Sequence, residues 1–233
     1  IGSDGYTIVA TDSVEINRLN DTFVSWNWKE TADAGFDIVT YTGNATVRAI
    51  SHSLSAVAGF MIIKCRSEAG HSWKVYHKSI GATGALSLQN TGATDTDSNY
   101  FNDTAPTSSV FTVGSNGDVN DNGETFVAYL FSEKKGYSKF ESYVGNGNAD
   151  GTFVYTGFKP AWIMVRATSG NRWRIADNKR PGYNTTINAL FAELSAAETT
   201  ASGDEIDLLS NGFKLRGTSG NQNASGTTYI YMA

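Results

Sequence analysis

Apolar residues in this chain fall in short runs whose faces alternate. In residues 125–131, Phe126, Ala128 and Leu130 point one way and Val127, Tyr129 and Phe131 the other. Successive side chains of a strand face opposite sides of its sheet, so an apolar residue at nearly every position predicts a strand covered on both faces. In residues 73–77, Trp73, Val75 and His77 share one face against Lys74 and Tyr76. Between such runs lie Ser115-Asn116-Gly117, Asp121-Asn122-Gly123, Gly145-Asn146-Gly147-Asn148 and Ser219-Gly220-Asn221. These residue types tolerate the positive φ that tight turns demand. Pro106, Pro160 and Pro181 lie in or beside loops. The pattern predicts strands and turns. Residues 186–200 are the exception. Leu190, Phe191 and Leu194, followed by the capping-box-like Ser195-Ala196-Ala197-Glu198, predict a short helix or two broken turns.

The chain also repeats itself. Thr22-Phe23-Val24-Ser25-Trp26 returns as Thr125-Phe126-Val127-Ala128-Tyr129 and as Thr228-Tyr229-Ile230-Tyr231-Met232, with spacings 125 − 22 = 103 and 228 − 125 = 103. Tyr41-Thr42-Gly43-Asn44 answers to Tyr143-Val144-Gly145-Asn146, and Gly70-His71-Ser72-Trp73 to Gly170-Asn171-Arg172-Trp173. Val110-Phe111-Thr112-Val113 answers to Gly212-Phe213-Lys214-Leu215, and Gly5-Tyr6-Thr7-Ile8 is a third copy of that piece. A period of this length is a plausible small domain. The expectation is an all-β protein of two tandem antiparallel β-sandwich units, jelly-roll or lectin-like, or of one continuous pair of sheets. Residues 1–21 read as the closing hairpin of a preceding unit, 22–124 as the first repeat and 125–233 as the second. Opening without Met and stopping partway through a repeated strand, the chain reads as a fragment of a longer polypeptide.

Bulk properties remove several classes. A net charge of −5 and a pI near 5.2 argue against a nucleic-acid partner, which requires clustered Lys and Arg. No apolar run approaches the roughly 18 residues of a membrane-spanning helix. The single cysteine, Cys65, excludes an intrachain disulfide framework and reads as a small buried hydrophobe.

Little in the chain points to catalysis. Asp118-Val119-Asn120-Asp121-Asn122-Gly123 matches the first half of a calcium loop, which makes Asp118, Asn120 and Asn122 candidate ligands. The twelfth position is Tyr129 rather than a bidentate Glu, so calcium is weakly supported and no other cofactor is expected. His77 and its counterpart Asp177 each read as tying down the loop that follows. Asp95, Asp97, Asp103, Glu193, Glu198, Asp204, Glu205 and Asp207 read mostly as solvated loop charges. A glycosidase needs two carboxylates facing across a cleft, and no pair is marked. Aromatics shared by both repeats (Trp73 with Trp173, Phe60 with Trp162, Phe111 with Phe213) are assigned to the core. Unshared loop residues are the candidate ligand contacts: Tyr100, Phe101 and Asp103 in one loop, Arg180, Tyr183 and Asn184 in another. A ring stacked on a pyranose beside polar groups suits sugar recognition.

Three strings give a resemblance: 73–83 (WKVYHKSIGAT), 102–114 (NDTAPTSSVFTVG) and 123–131 (GETFVAYLF). With Ile206–Lys214 and Thr228–Ala233 they resemble an uncharacterised domain family of large structural proteins in tailed bacteriophages, mostly aquatic ones. The resemblance implies a virion component at the host-facing tail, made in the host cytoplasm and exposed outside the cell. It carries over no active site. The expected function is a non-enzymatic tail-fibre or receptor-binding module that adheres to a bacterial surface glycan, contacts other virion proteins and forms a homotrimer. The alternatives are a purely structural spacer or decoration protein and a polysaccharide depolymerase.

Overall fold

The computed structural model describes residues 6–8, 16, 18–181, 183–200 and 202–233. It is nearly all β, and every strand pair is antiparallel. The first large sheet has the order β1-β7-β3-β4-β5, formed by β1 (Phe36–Thr42), β3 (Phe60–Cys65), β4 (Lys74–His77), β5 (Leu86–Ser87) and β7 (Thr125–Phe131). A ribbon of β2 (Arg48–Ser51) and β6 (Val110–Val113) covers one face, with the single-turn helices α1 (Ser98–Phe101) and α2 (Gly117–Asn120). Met61, Ile63, Cys65, Phe111, Phe126, Ala128 and Leu130 fill the space between.

The second large sheet has the order β13-β12-β11-β10-β16-β8. Its strands are β8 (Phe140–Val144), β10 (Trp162–Ala167), β11 (Arg174–Asp177), β12 (Asn188–Phe191), β13 (Thr199–Thr200) and β16 (Thr228–Met232). A smaller sheet, β14-β15-β9, covers it, made of β9 (Phe153–Tyr155), β14 (Ile206–Leu209) and β15 (Gly212–Leu215). Ile163, Val165, Leu208, Phe213, Tyr229 and Tyr231 form that core. The strands β1-β7-β3-β4-β5 and β8-β16-β10-β11-β12 therefore occupy their sheets in one order.

The faces of the two large sheets that point away from their small sheets pack on each other. Phe36, Phe60, Val75, Phe131, Phe140, Met164, Trp173, Ile175, Ile230 and Met232 make this third core. Strand β7 shows why both of its faces are apolar. Phe126, Ala128 and Leu130 enter the first sandwich core, while Tyr129 and Phe131 enter the seam between sandwiches. Polar contacts cross the same seam: Trp173 Nε1 donates to Ser87 O (2.9 Å), and the amide of Thr94 donates to Thr168 O (2.8 Å).

Several expectations require correction. Residues 186–200 are not helical: β12 continues the sheet from β11, with Arg174 opposite Phe191. Glu198, the residue that would close the capping box, is held by Arg180 and Asn188 instead. Trp173 is buried, but its counterpart Trp73 is 36% exposed, because the second sandwich's tryptophan enters the seam and the first's does not. Asp204, Asp207 and the Glu193 carboxylate are buried rather than solvated. Asp207 meets Arg216 at 2.6 Å, and Glu193 accepts from the Trp173 amide at 3.0 Å. The hairpin expected within 1–21 lies largely outside the described residues. The segment Thr22–Trp26 joins no strand ladder among the described residues, although it matches β7 and β16 in sequence.

Candidate functional site

The two large sheets do not stay in contact along their whole width. Where they separate, and beneath the chain at 26–30, they leave a cleft of about 1220 Å³. Ile38, Ile62 and Tyr129 line it from the first sheet, Trp162, Met164 and Ile175 from the second, and Tyr6, Trp26 and Trp28 from the N-terminal segment. The alternation that fills the sandwich cores leaves apolar side chains of the two large sheets on the opposite faces, so the sheet walls of the cleft follow from strands apolar on both sides.

Three tryptophans organise one end. Trp162 is met edge-on by Trp28 at 5.4 Å and by Trp26 at 6.2 Å, and Trp28 also lies edge-on to Phe131 at 6.1 Å. Trp26 Nε1 donates to Asp177 Oδ2 at 3.2 Å, which pins the segment to the end of β11. The Trp162 indole N–H is buried and has no hydrogen-bond partner among the described residues. Asn27, Lys29 and Glu30 line the cleft beside the tryptophans and are exposed.

Asp177 is more than a loop anchor. It accepts from the amides of Lys179 (2.9 Å) and Arg180 (3.1 Å) and pairs with Arg180 Nε at 2.7 Å. Burial works to raise its pKa, but the bonds from Arg180 and the two amides win and hold the carboxyl below its ordinary value. His77 does the equivalent in the first sandwich, accepting from the Ser79 amide at 3.1 Å on Nδ1, while its Nε2 meets Tyr231 O across the seam at 3.1 Å.

The residues singled out in the sequence do not form one surface. Tyr100 (6% exposed) and Phe101 (1%) are core residues, which corrects their reading as ligand contacts. The Tyr100 hydroxyl accepts from Lys74 Nζ and donates to Asp95, both at 2.8 Å. Asp103 is exposed, in the left-handed turn that ends α1. Arg180 is mostly buried and committed to Asp177 and Glu198. The Asn184 amide is used in pairing with the Leu208 backbone, donating to its carbonyl (3.0 Å) and accepting from its amide (2.9 Å). Tyr183 alone is a free exposed ring, at 81%.

The calcium reading also requires correction. Asp118 and Asn120 lie in α2, capped by Asn116, rather than in a calcium loop. The Asn120 amide is fully buried and committed to neighbouring loops. Asp118 accepts from the Ser72 amide at 2.8 Å and faces Lys74 at 3.5 Å, while Asn122 is exposed at the turn beyond. The sequence does not single out the cleft: Trp26 ends a run that repeats, and Trp162 answers to Phe60 as a shared aromatic expected in the core. The available signal was the excess of tryptophan in Trp26-Asn27-Trp28, where β7 carries Tyr129 and Phe131.

These features define an all-β protein of two back-to-back sandwiches with an aromatic cleft at their seam. The chain belongs to the DUF7483 family, a domain of unknown function, whose model matches residues 1–233. No curated protein and no solved structure matches it.

Proposed function

We propose that the chain is a non-enzymatic adhesion module that binds a glycan in the aromatic cleft at the seam. The observation that carries this is the cluster of Trp26, Trp28 and Trp162 lining the cleft. The apolar face of a pyranose stacks on an indole while Asn27, Lys29 and Glu30 take its hydroxyls. Hydrolysis is less well supported, because Glu30 is the one carboxylate among the described residues lining the cleft. The setting proposed for the module is the one its sequence resemblance implies: a tail-fibre-like virion protein facing the host, bound to other virion proteins, with trimerisation multiplying a weak site.

The test is titration of the chain with purified bacterial lipopolysaccharide and capsular polysaccharide, read by tryptophan fluorescence. Binding that Trp28→Ala weakens by about tenfold, near 1.4 kcal/mol, supports the reading. Binding unchanged in Trp28→Ala, or none to either polysaccharide, overturns it.

A further inference from the structure

We infer that the first sandwich holds a divalent transition-metal site built from His71, Glu68 and Asp121. Nothing in this depends on the glycan reading, because the site lies on the first sandwich and shares no residue with the cleft.

The geometry comes first. His71 Nε2 lies 3.1 Å from Glu68 Oε2 and 3.7 Å from Asp121 Oδ2, and one ligand atom from each residue lies within 4.8 Å of the others. Ligands about 2.1 Å from a tetrahedral zinc stand about 3.4 Å apart, so the spacing suits one ion between the three. An imidazole nitrogen with two carboxylates is a donor set for the zinc class, and three protein ligands leave a coordination position open.

The imidazole is held in place for this. Its ring lies edge-on to Phe126 at 6.3 Å, and its side chain is 14% exposed. Its other nitrogen, Nδ1, faces Asp118 Oδ1 at 3.7 Å. That carboxylate is fixed in turn by the Ser72 amide and by Lys74. It stands behind the imidazole, on the side where a supporting group of a metal-bound histidine usually lies. The two loops that supply the ligands are already joined: Ser67 Oγ donates to Glu124 at 2.6 Å and accepts from the Thr125 amide at 2.7 Å.

The second sandwich supplies an internal control. Gly117 lies against the His71 ring, where an added Cβ would meet Cε1 at 3.6 Å. Gly220 lies against Asn171, where it would meet Nδ2 at 3.2 Å. The glycines are offset by 220 − 117 = 103 and the residues they face by 171 − 71 = 100, the offsets of their repeated strings. At those offsets Glu68 corresponds to Thr168 (168 − 68 = 100) and Asp121 to Ala224 (224 − 121 = 103). All three ligands are thus missing together from an otherwise equivalent place. Shared scaffold does not require them, and their joint presence in one sandwich fits a site added to it.

The experiment is calorimetric titration of zinc chloride into the intact chain after chelator dialysis at neutral pH. The expected result is one zinc per chain, with affinity reduced about 100-fold by His71→Asn and about 10- to 100-fold by Asp118→Asn, which removes the supporting charge. Asn already occupies the equivalent position in the second sandwich, so His71→Asn is compatible with the fold. Glu68→Gln, at an exposed position, gives an independent loss. His52→Ala leaves binding unchanged. No zinc uptake at millimolar concentration, or uptake that His71→Asn and Glu68→Gln leave intact, overturns the site.

Discussion

The side-chain amides of Asn120 and Asn223 make the same four hydrogen bonds, one set in each sandwich. Asn120 Oδ1 accepts from the Asn44 amide (3.0 Å), and its Nδ2 reaches Asn44 Oδ1 (3.3 Å), Thr46 O (2.8 Å) and Gly114 O (2.7 Å). Asn223 Oδ1 accepts from the Asn146 amide (3.0 Å), and its Nδ2 reaches Asn146 Oδ1 (3.2 Å), Asn148 O (2.9 Å) and Gly217 O (2.8 Å). Each amide joins the turn after an edge strand to the end of its sandwich, and both are fully buried. Glycine is required in the adjoining turn, since a Cβ at Gly43 would lie 1.9 Å from Asp121 O and one at Gly145 2.4 Å from Ala224 O.

Replacing either asparagine by alanine orphans an amide and two carbonyls, of which the Gly114 or Gly217 carbonyl is in the buried part of the site. The expected cost is about 2–4 kcal/mol for each variant, measured by urea unfolding. The two sandwiches share the seam core, so each variant is expected to shift a single common transition. Two separated transitions, with each variant moving only its own, would show that the seam does not couple them.

His77 gives the chain a pH dependence of its own. Burial lowers its pKa from 6.5 to about 4, outweighing the bond to Tyr231 O and the nearby Glu141 and Glu133, while Lys78 adds to the lowering. The Ser79 amide donates to Nδ1, so the neutral ring carries its proton on Nε2 and donates it to Tyr231 O. Between pH 6.5 and about 4 the unfolded chain binds a proton there that the folded chain refuses. Stability from this group is complete above that window and is lost on acidification through it, in total roughly 3 kcal/mol. Glu141 and Asp177, both held below their ordinary values, lose their contributions only from the carboxylate range downward. The difference between wild type and His77→Gln in unfolding free energy should therefore fall as pH drops from neutral toward 4.5, and a flat difference would remove His77 as its source.

Across the same seam, Lys78 Nζ lies 2.7 Å from Glu141 and 2.9 Å from Glu133, and Lys139 joins the group. These side chains are about one-third exposed, so water and salt screen them. Lys78→Met is expected to cost at most about 1 kcal/mol, and high salt should shrink that difference.

Legibility in the sequence followed periodicity. The two-faced apolar alternation of β7 announced a strand buried on both sides, and it is one. The chain order of short strands and turns announced all-β sandwiches. What sequence could not show was which surface each apolar face meets. Trp73 and Trp173 are the same residue in matching strings, yet only Trp173 enters the seam. Tyr100 and Tyr183 are both tyrosines in polar loops, yet α1 folds the first inward and leaves the second in water. The ligand cluster is invisible for a related reason: Glu68, His71 and Asp121 come from loops that adjoin only once β3 pairs with β7.

Tyr100 and Tyr183 allow the most direct comparison of a structural and a surface aromatic. Tyr100 stands between a buried cation and a carboxylate, and burial followed by Asp95 pushes its phenol well above the ordinary value. Tyr100→Phe keeps the ring and removes only the hydroxyl. Lys74, which is buried, then retains Ser87 Oγ at 3.3 Å and Asp118 at 3.5 Å, and Asp95 loses its donor. A hydrogen bond to a charged group contributes about 1.5–3 kcal/mol, so the variant should lose stability on that scale while keeping its binding properties. Tyr183→Ala removes a ring that is 81% exposed and should change stability by less than about 0.5 kcal/mol. Urea unfolding of the two variants side by side checks both statements. Equal stabilities would mean that the Lys74–Tyr100–Asp95 chain does not support the fold.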